Sequence, residues 1–161
     1  MLAVTSYQKD YVEARRAEVE GLLARYRDLA AAAKGKPAVE AFSAPFFNAM
    51  VLALDHSFMH RLRNAELKDG NPLNEVRMLA NSILEHGGVL QADKTIKYDA
   101  SKSVTGNKIG EKIVIGEGVF AKLATAFLDE IEKKYPLGGF GARCFAELGD
   151  GRGRPRLTAR T

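Results

Sequence analysis

The sequence predicts a mainly α-helical fold, a bundle of about four helices with a small β-hairpin inserted before the last helix. Apolar residues recur at helical spacing over most of the chain, and a D-G-N-P turn at residues 69–72 separates two helical stretches. Only between residues 91 and 116 does the period shorten to two. We expect one helical domain over residues 1–135 and a flexible, disordered basic C-terminal tail, rich in Gly and Arg, over residues 136–161.

The first helix is predicted over residues 6–33. Thr5 and Gln8 fit a T-x-x-Q capping box at its start, and Gly35 suits the C′ position after its end. Its opposite face carries mixed charges, as solvated helix faces do. Its buried face consists of apolar residues at helical spacing, namely Val12, Val19, Leu22, Leu23, Tyr26 and Leu29.

A central pair of helices is predicted within residues 45–86, the most apolar stretch of the chain. Its first helix follows a pattern that begins near Pro37, with an interruption or kink expected at Pro45. Leu52 and Met59 lie opposite the main stripe, so this helix should be packed on several sides. The stripe itself comprises Phe47, Val51, Leu54, Phe58 and Leu62.

The second helix of the pair has the strongest local signals in the sequence. Gly70 can adopt a positive φ, Asn71 is a favourable N-cap and Pro72 suits the first helical position. The glycines at 87 and 88 should end the helix. A short connection of this kind makes the two helices neighbours.

Two-residue alternation predicts the hairpin, in Ile96 and Tyr98 and again in Ile113 and Ile115. The polar segment between these pairs is expected to be a surface loop. A last helix follows, which ends before Pro136. Its apolar face comprises Phe120, Leu123, Phe127, Leu128, Ile131 and Tyr135.

Composition limits the classes of function. Cys144 is the only cysteine among 161 residues, which excludes an internal disulfide and a Cys-based zinc site and favours a reducing, cytoplasmic compartment. The start lacks the pattern of a secretory signal, and charged residues and histidines interrupt the longest apolar stretch, so no membrane segment is expected. The tail supplies +3 of the net charge of +4, which leaves the body nearly neutral.

Three segments resemble a family of small bacterial, mostly helical proteins to which no activity is attached. They are HRLR at residues 60–63, KDGNPLNEVR at residues 68–77 and DKTIKY at residues 93–98. The resemblance covers roughly residues 40–135. It implies a bacterial, cytoplasmic, mostly helical domain, and it transfers no cofactor or catalytic residue.

The histidines are the sharpest enzyme-like feature. His56 and His60 are one helical turn apart, so both imidazoles could bind one divalent metal ion, and His86 would complete three nitrogen ligands with an open position for water. Against this, a helix-end histidine is favoured by the helix dipole without any metal. The ExxH motif of di-iron bundles is absent from the sequence.

Charged residues of both signs surround the D-G-N-P turn. They would either pair with one another and fix the turn, or form a recognition surface for an anion. The set comprises Arg61, Arg63, Glu66, Asp69, Glu75 and Arg77.

The tail contains Arg152, Gly153, Arg154 and Pro155, followed by Arg156, which resembles the core of an AT-hook. Such segments place arginines in the narrow minor groove of A·T-rich DNA. The alternative is a solubilising tail without a ligand.

Taken together, these features predict a non-enzymatic interaction or accessory protein that binds a protein partner or forms a homo-oligomer. A cofactor is not expected. DNA binding through the tail and a metal-dependent enzyme with three histidines are the two alternatives.

Overall fold

The computed structural model describes residues 3–137, and over that range the chain is mainly helical with no β-sheet. This confirms the mainly helical class that the sequence predicts. Residues 1–2 and 138–161, which hold nearly all of the predicted tail, lie outside the described range. The helices are α1 (Lys9–Ala32), α2 (Lys36–Ser57), α3 (Arg63–Glu66), α4 (Pro72–Glu85) and α5 (Glu117–Lys134).

The core lies where α2, α4 and α5 pack on one another, and α1 covers α5 and part of α2. Phe47, Val51 and Leu54 of α2 are buried there, as the predicted stripe requires. Burial of each such side chain contributes about 1.5–3 kcal/mol. Their fully buried partners on α4 and α5 include Leu73, Val76, Leu79, Phe120, Leu123, Phe127 and Ile131.

The boundary signals around α1 differ from those predicted. Gln8 is the N-cap of α1 and no side chain caps it, so the predicted capping box with Thr5 does not form. Ala33 ends the helix in an extended conformation. Gly35, predicted at C′ of the first helix, is instead the N-cap of α2 with φ −134°. The chain thus turns through extended residues, and a left-handed glycine is not needed.

Helix α2 runs continuously through Pro45 and then ends sooner than the apolar stripe indicates. Pro45 is exposed, so water can hydrate the carbonyl that loses its helical donor. The helix ends at Ser57, and Phe58 is its C-cap. Leu62, predicted on this helix, belongs to the next turn of chain as the N-cap of α3.

The start of α4 confirms the predicted signals. The Asn71 side chain accepts hydrogen bonds from the backbone N–H groups of Leu73 and Asn74. Gly70 has φ +83°, and a Cβ at this position would lie 2.6 Å from the carbonyl oxygen of Lys97. Only glycine therefore fits both the backbone angle and the space.

The predicted hairpin is wrong for the described residues. Between residues 91 and 116 no strand forms, and the nearest feature is an isolated antiparallel bridge between Val89 and Lys112. Asp93 and Asp99 accept hydrogen bonds from the N–H groups two residues ahead, which closes local turns instead of a ladder. Ile96 and Ile113 are nevertheless buried, so the alternation reports burial alone.

Candidate functional site

Arg61 occupies a position where charge is rarely found, since its side chain is fully buried. The N-terminal segment fixes its backbone: Val4 donates to the carbonyl of His60 and accepts from the N–H of Leu62, each at 2.8 Å. The Arg61 guanidinium lies over the Phe127 ring, 5.4 Å from its centroid. A desolvated cation of this kind requires partners on all of its donors.

Glu66 supplies the central partner. Its Oε1 accepts from Nε of Arg61 and from Nη1 of Arg63, the latter at 2.7 Å. Nη1 of Arg77 lies 3.1 Å from Oε2, within ion-pair distance but off-axis for a hydrogen bond. The Glu66 carboxylate is fully buried, so one acid is the shared partner of two arginines around the start of α3 and of a third arginine on α4.

The other two guanidinium nitrogens of Arg61 also have acceptors. Its Nη1 donates to the carbonyl of Phe58 at 2.9 Å, and its Nη2 donates to Oδ1 of Asp55 at 3.0 Å. We use the name arginine–glutamate cluster for five charged residues, namely Asp55, Arg61, Arg63, Glu66 and Arg77. The cluster joins the end of α2 to α3 and α4.

Two acids that the sequence placed in the same charge network do not belong to it. The Glu75 carboxylate is buried and accepts from the backbone N–H groups of Val104 and Thr105, each at 2.9 Å. Asp69 accepts from the side-chain amide and backbone N–H of Asn71. Glu75 thus holds the loop that replaces the hairpin, and Asp69 closes the turn before α4.

A cleft of about 450 Å³ opens beside the cluster. Asp93 lies on its rim with a pKa below the ordinary value. The backbone N–H and the hydroxyl of Thr95 lower this pKa most, because both donate hydrogen bonds to the carboxylate. Burial raises the pKa, and the nearby cations Arg77 and Lys68 lower it further. The lining consists of Arg63, Asn64, Leu67, Lys68, Arg77, Asp93 and Thr95.

The histidines do not share one helix face. Because α2 ends at Ser57, His60 lies outside the helix that carries His56, and the premise of an i, i+4 ligand pair is wrong. His86 is the C-cap of α4, and all three side chains are exposed. Among residues 3–137, no group of three or more His, Cys, Asp or Glu side chains is placed to hold a metal ion. A three-histidine metal site stays a prediction, and elemental analysis of untagged protein tests it.

The outer face of α2 is apolar and exposed. From Ala41 to Leu54 the helix contains no charged residue, although much of its circumference faces solvent. We call the exposed part the α2 outer face. Its exposed residues are Ala41, Phe42, Pro45, Ala49 and Ala53.

Comparison with protein-family models, curated proteins and solved structures finds no match. Function therefore rests on the geometry of the chain itself. The AT-hook-like residues, Arg152 to Arg156, lie outside the described residues, so DNA binding through the tail stays a prediction.

Composition alone does not separate α2 from a membrane span. The helix has 22 residues, and an 18-residue window within it reaches a mean hydropathy of 1.4. Within residues 3–137 it is the one helix that passes this test. The sequence led us to expect none, because charged residues and histidines interrupt the longest apolar stretch. Of that window 22% is buried, and its buried side chains pack in the core with α4 and α5.

Sequence reasoning missed two features of the site. The sequence predicts Arg61 in a charged group around the turn, and nothing in its neighbours signals that Phe127, 66 positions further on, covers it. Thr95 is not among the predicted site residues, although the D-x-T spacing at residues 93–95 is a local signal for the turn that brings it to the cleft.

Proposed function

We propose that the protein is a non-enzymatic interaction protein that associates with a second copy of itself through the α2 outer face. This keeps the bacterial, cytoplasmic accessory role and the bundle-like packing that the sequence predicts. One observation carries the proposal, namely an exposed helix face on which no charge occurs between Ala41 and Leu54.

An exposed face of this composition is unusual for a helix that meets only water. Solvent-facing stripes of amphipathic helices are normally charged or polar, and contiguous exposed apolar patches commonly mark contact surfaces. On α1 the corresponding stripe does carry charges, such as Arg25 and Asp28, which are exposed. The contrast between the two helices supports a covered α2 face.

The shape of the face supports a second copy as its partner. Three exposed alanines, at 41, 49 and 53, would let another helix approach closely. Phe42 is 47% exposed and lines one side of an apolar groove of about 230 Å³ between α1 and α2. In an isologous two-fold contact each protomer would present the same groove and the same alanine face to its partner.

The affinity of such a contact should be modest. A helix face roughly 25 Å long and 10 Å wide covers roughly 250 Å² per protomer, which is below the roughly 800 Å² of a standard interface. We therefore expect a monomer–dimer equilibrium that shifts with concentration, and not a permanent dimer.

Sedimentation equilibrium over a range of protein concentrations tests the proposal. Wild-type chain should approach the mass of a dimer at the highest concentrations, and Ala49→Glu should stay monomeric because it places a charge at the centre of the face. Ala24→Glu is the matched control, since Ala24 is an exposed alanine on α1, and it should behave as wild type. A wild-type chain that is monomeric up to about 1 mM, where even weak interfaces assemble, would rule out self-association.

A further inference from the structure

The cleft beside the arginine–glutamate cluster carries more positive than negative charge. Glu66 is shared by Arg61, Arg63 and Arg77, and Asp55 is engaged by Arg61. Asp93 is the other acid at the cleft, and its Oδ2 lies 3.9 Å from Nη2 of Arg77, beyond hydrogen-bond distance.

Lys68 adds a fourth cation. Among residues 3–137, no carboxylate oxygen lies within 4.0 Å of its Nζ. The three cations that line the cleft, Arg63, Lys68 and Arg77, thus exceed Asp93 and the buried Glu66 by one charge.

Arg77 lines the cleft, and within residues 3–137 one of its side-chain nitrogens is without an acceptor. Its Nε is buried and has no acceptor among the described residues. Its side chain is only 16% exposed, so water compensates this donor poorly. Arg63, by contrast, is 43% exposed and holds Glu66 through Nη1, which leaves other guanidinium donors free to turn toward a ligand.

We propose that this cleft binds the phosphate group of a small phosphorylated molecule, with Arg63, Lys68 and Arg77 as the ligating cations. Guanidinium groups match the geometry of phosphate oxygens in paired hydrogen bonds, and a lysine adds a mobile point charge. A volume of about 450 Å³ exceeds the space that a free phosphate ion needs and falls in the range of small-molecule sites. The proposal is independent of self-association through α2.

Isothermal titration of the full chain with ribose 5-phosphate, and separately with inorganic phosphate, tests this site. Ribose 5-phosphate should bind with the higher affinity, since the cleft has room for its sugar. Lys68→Gln should weaken binding about tenfold, the effect of one charge-assisted hydrogen bond. Lys68 is exposed and outside the cluster, so its removal should leave the fold intact.

A matched control and an opposite-sign variant make the test specific. Lys102→Gln removes a lysine that is 83% exposed and pairs with Asp99, away from the cleft, and it should leave affinity unchanged. Asp93→Asn keeps an oxygen to accept from Thr95 but removes the acid at the rim, so binding should become tighter. The proposal is overturned if neither phosphate compound binds saturably, or if both bind equally. It is also overturned if Lys68→Gln and Lys102→Gln have equal effects, which is the result expected when phosphate binds to the arginine-rich tail instead of the cleft.

Discussion

At the scale of single residues, Glu66 has a large expected effect on stability. Its carboxylate is fully buried and is the shared partner of Arg61, Arg63 and Arg77. Glu66→Gln would leave the buried Arg61 cation without its charged acceptor. Because breaking one side of a buried ion pair costs about 3–5 kcal/mol, the free energy of unfolding should fall by about that amount.

Urea denaturation followed by circular dichroism measures this change. Glu85→Gln, at the exposed end of α4, removes the same charge from solvent and should shift the free energy by less than about 0.5 kcal/mol. Equal midpoints for the two variants would mean that the cluster contributes no net stability.

Gly70 offers a second prediction, because it separates backbone strain from steric clash. Gly70 and Gly106 have similar positive φ angles, +83° and +70°, but only Gly70 has a backbone neighbour, the Lys97 carbonyl, where a Cβ would stand. Gly106→Ala should cost about 1 kcal/mol of unfolding free energy from the φ angle alone. Gly70→Ala should cost more, since backbone must move as well.

Thermal unfolding of the two alanine variants compares them directly. Gly21→Ala is a useful reference, because Gly21 lies within α1 with open space around it, so alanine should raise stability there by about 0.5–1 kcal/mol. If Gly70→Ala and Gly106→Ala were equally destabilised, the close approach of Lys97 would have no energetic consequence.

At the scale of elements, the start of α4 depends on Asn71. Its side-chain oxygen caps the helix, and its amide nitrogen donates to the backbone carbonyl of Glu66 at 2.7 Å. Asn71→Ala should therefore lower the unfolding free energy by about 1–2 kcal/mol, at the upper end for N-caps. Denaturant titration checks it against Asn81→Ala, an exposed mid-helix site where alanine should be neutral or stabilising. Similar losses at both sites would contradict a capping role.

How far the sequence predicts each element depends on how local its determinants are. Asn71, Pro72 and the glycine before them lie together, so their consequence for α4 could be read directly. The capping box at Thr5 failed although its spacing was right, because the backbone before α1 is used elsewhere: Val4 pairs with residues 60–62. A cap motif predicts a helix start only where no distant segment competes for the same backbone.

The site was predictable only in part, because some of its contacts join residues that are far apart along the chain. The sequence placed Arg61, Glu66 and Arg77 near one turn, and they do meet there. It could not assign Glu75 to the loop at residues 104–105, since that partner is about 30 positions away. The alternation that predicted a hairpin marks buried positions correctly, at Ile96 and Ile113, but the backbone donors that a ladder needs are taken by Asp93, Asp99 and Glu75.

At the scale of the whole molecule, aromatic side chains join the two ends of the described chain around Phe58. The Tyr7 backbone N–H donates to the carbonyl of Tyr135 at 3.0 Å, and the Tyr135 hydroxyl donates to the carbonyl of Leu62 at 2.8 Å. The Tyr7 ring packs edge-on against both Phe58 and Tyr135. The segment before α1 is thereby held against the end of α5 and the turn after α2, next to the arginine–glutamate cluster.

This arrangement makes stability sensitive to alkaline pH. Burial raises the pKa of Tyr7 to about 12, although the charge of Arg61 opposes the shift. Burial, and next the negative charge of Glu66, also raises the pKa of Tyr135. In the unfolded chain both phenols ionise near their ordinary value of about 10, whereas in the fold they stay protonated. The contribution of the two phenols to the unfolding free energy is thus fully present below about pH 10. It is lost as the pH rises toward about 12, because the unfolded state releases these protons first and is thereby stabilised relative to the folded state.

Denaturant titrations at a series of pH values should therefore show the unfolding free energy falling across this window. Tyr7→Phe keeps the ring contacts and removes the ionisable group, at the cost only of a long hydrogen bond of 3.5 Å to the carbonyl of Phe58. It should make the fall shallower, and a further Tyr135→Phe change should make it shallower still. Lysine titration affects the wild type and the variants equally, so the difference between their slopes isolates the two phenols. Parallel slopes would show that both tyrosines ionise alike in the folded and unfolded chain, and that the junction of the two ends is open to water.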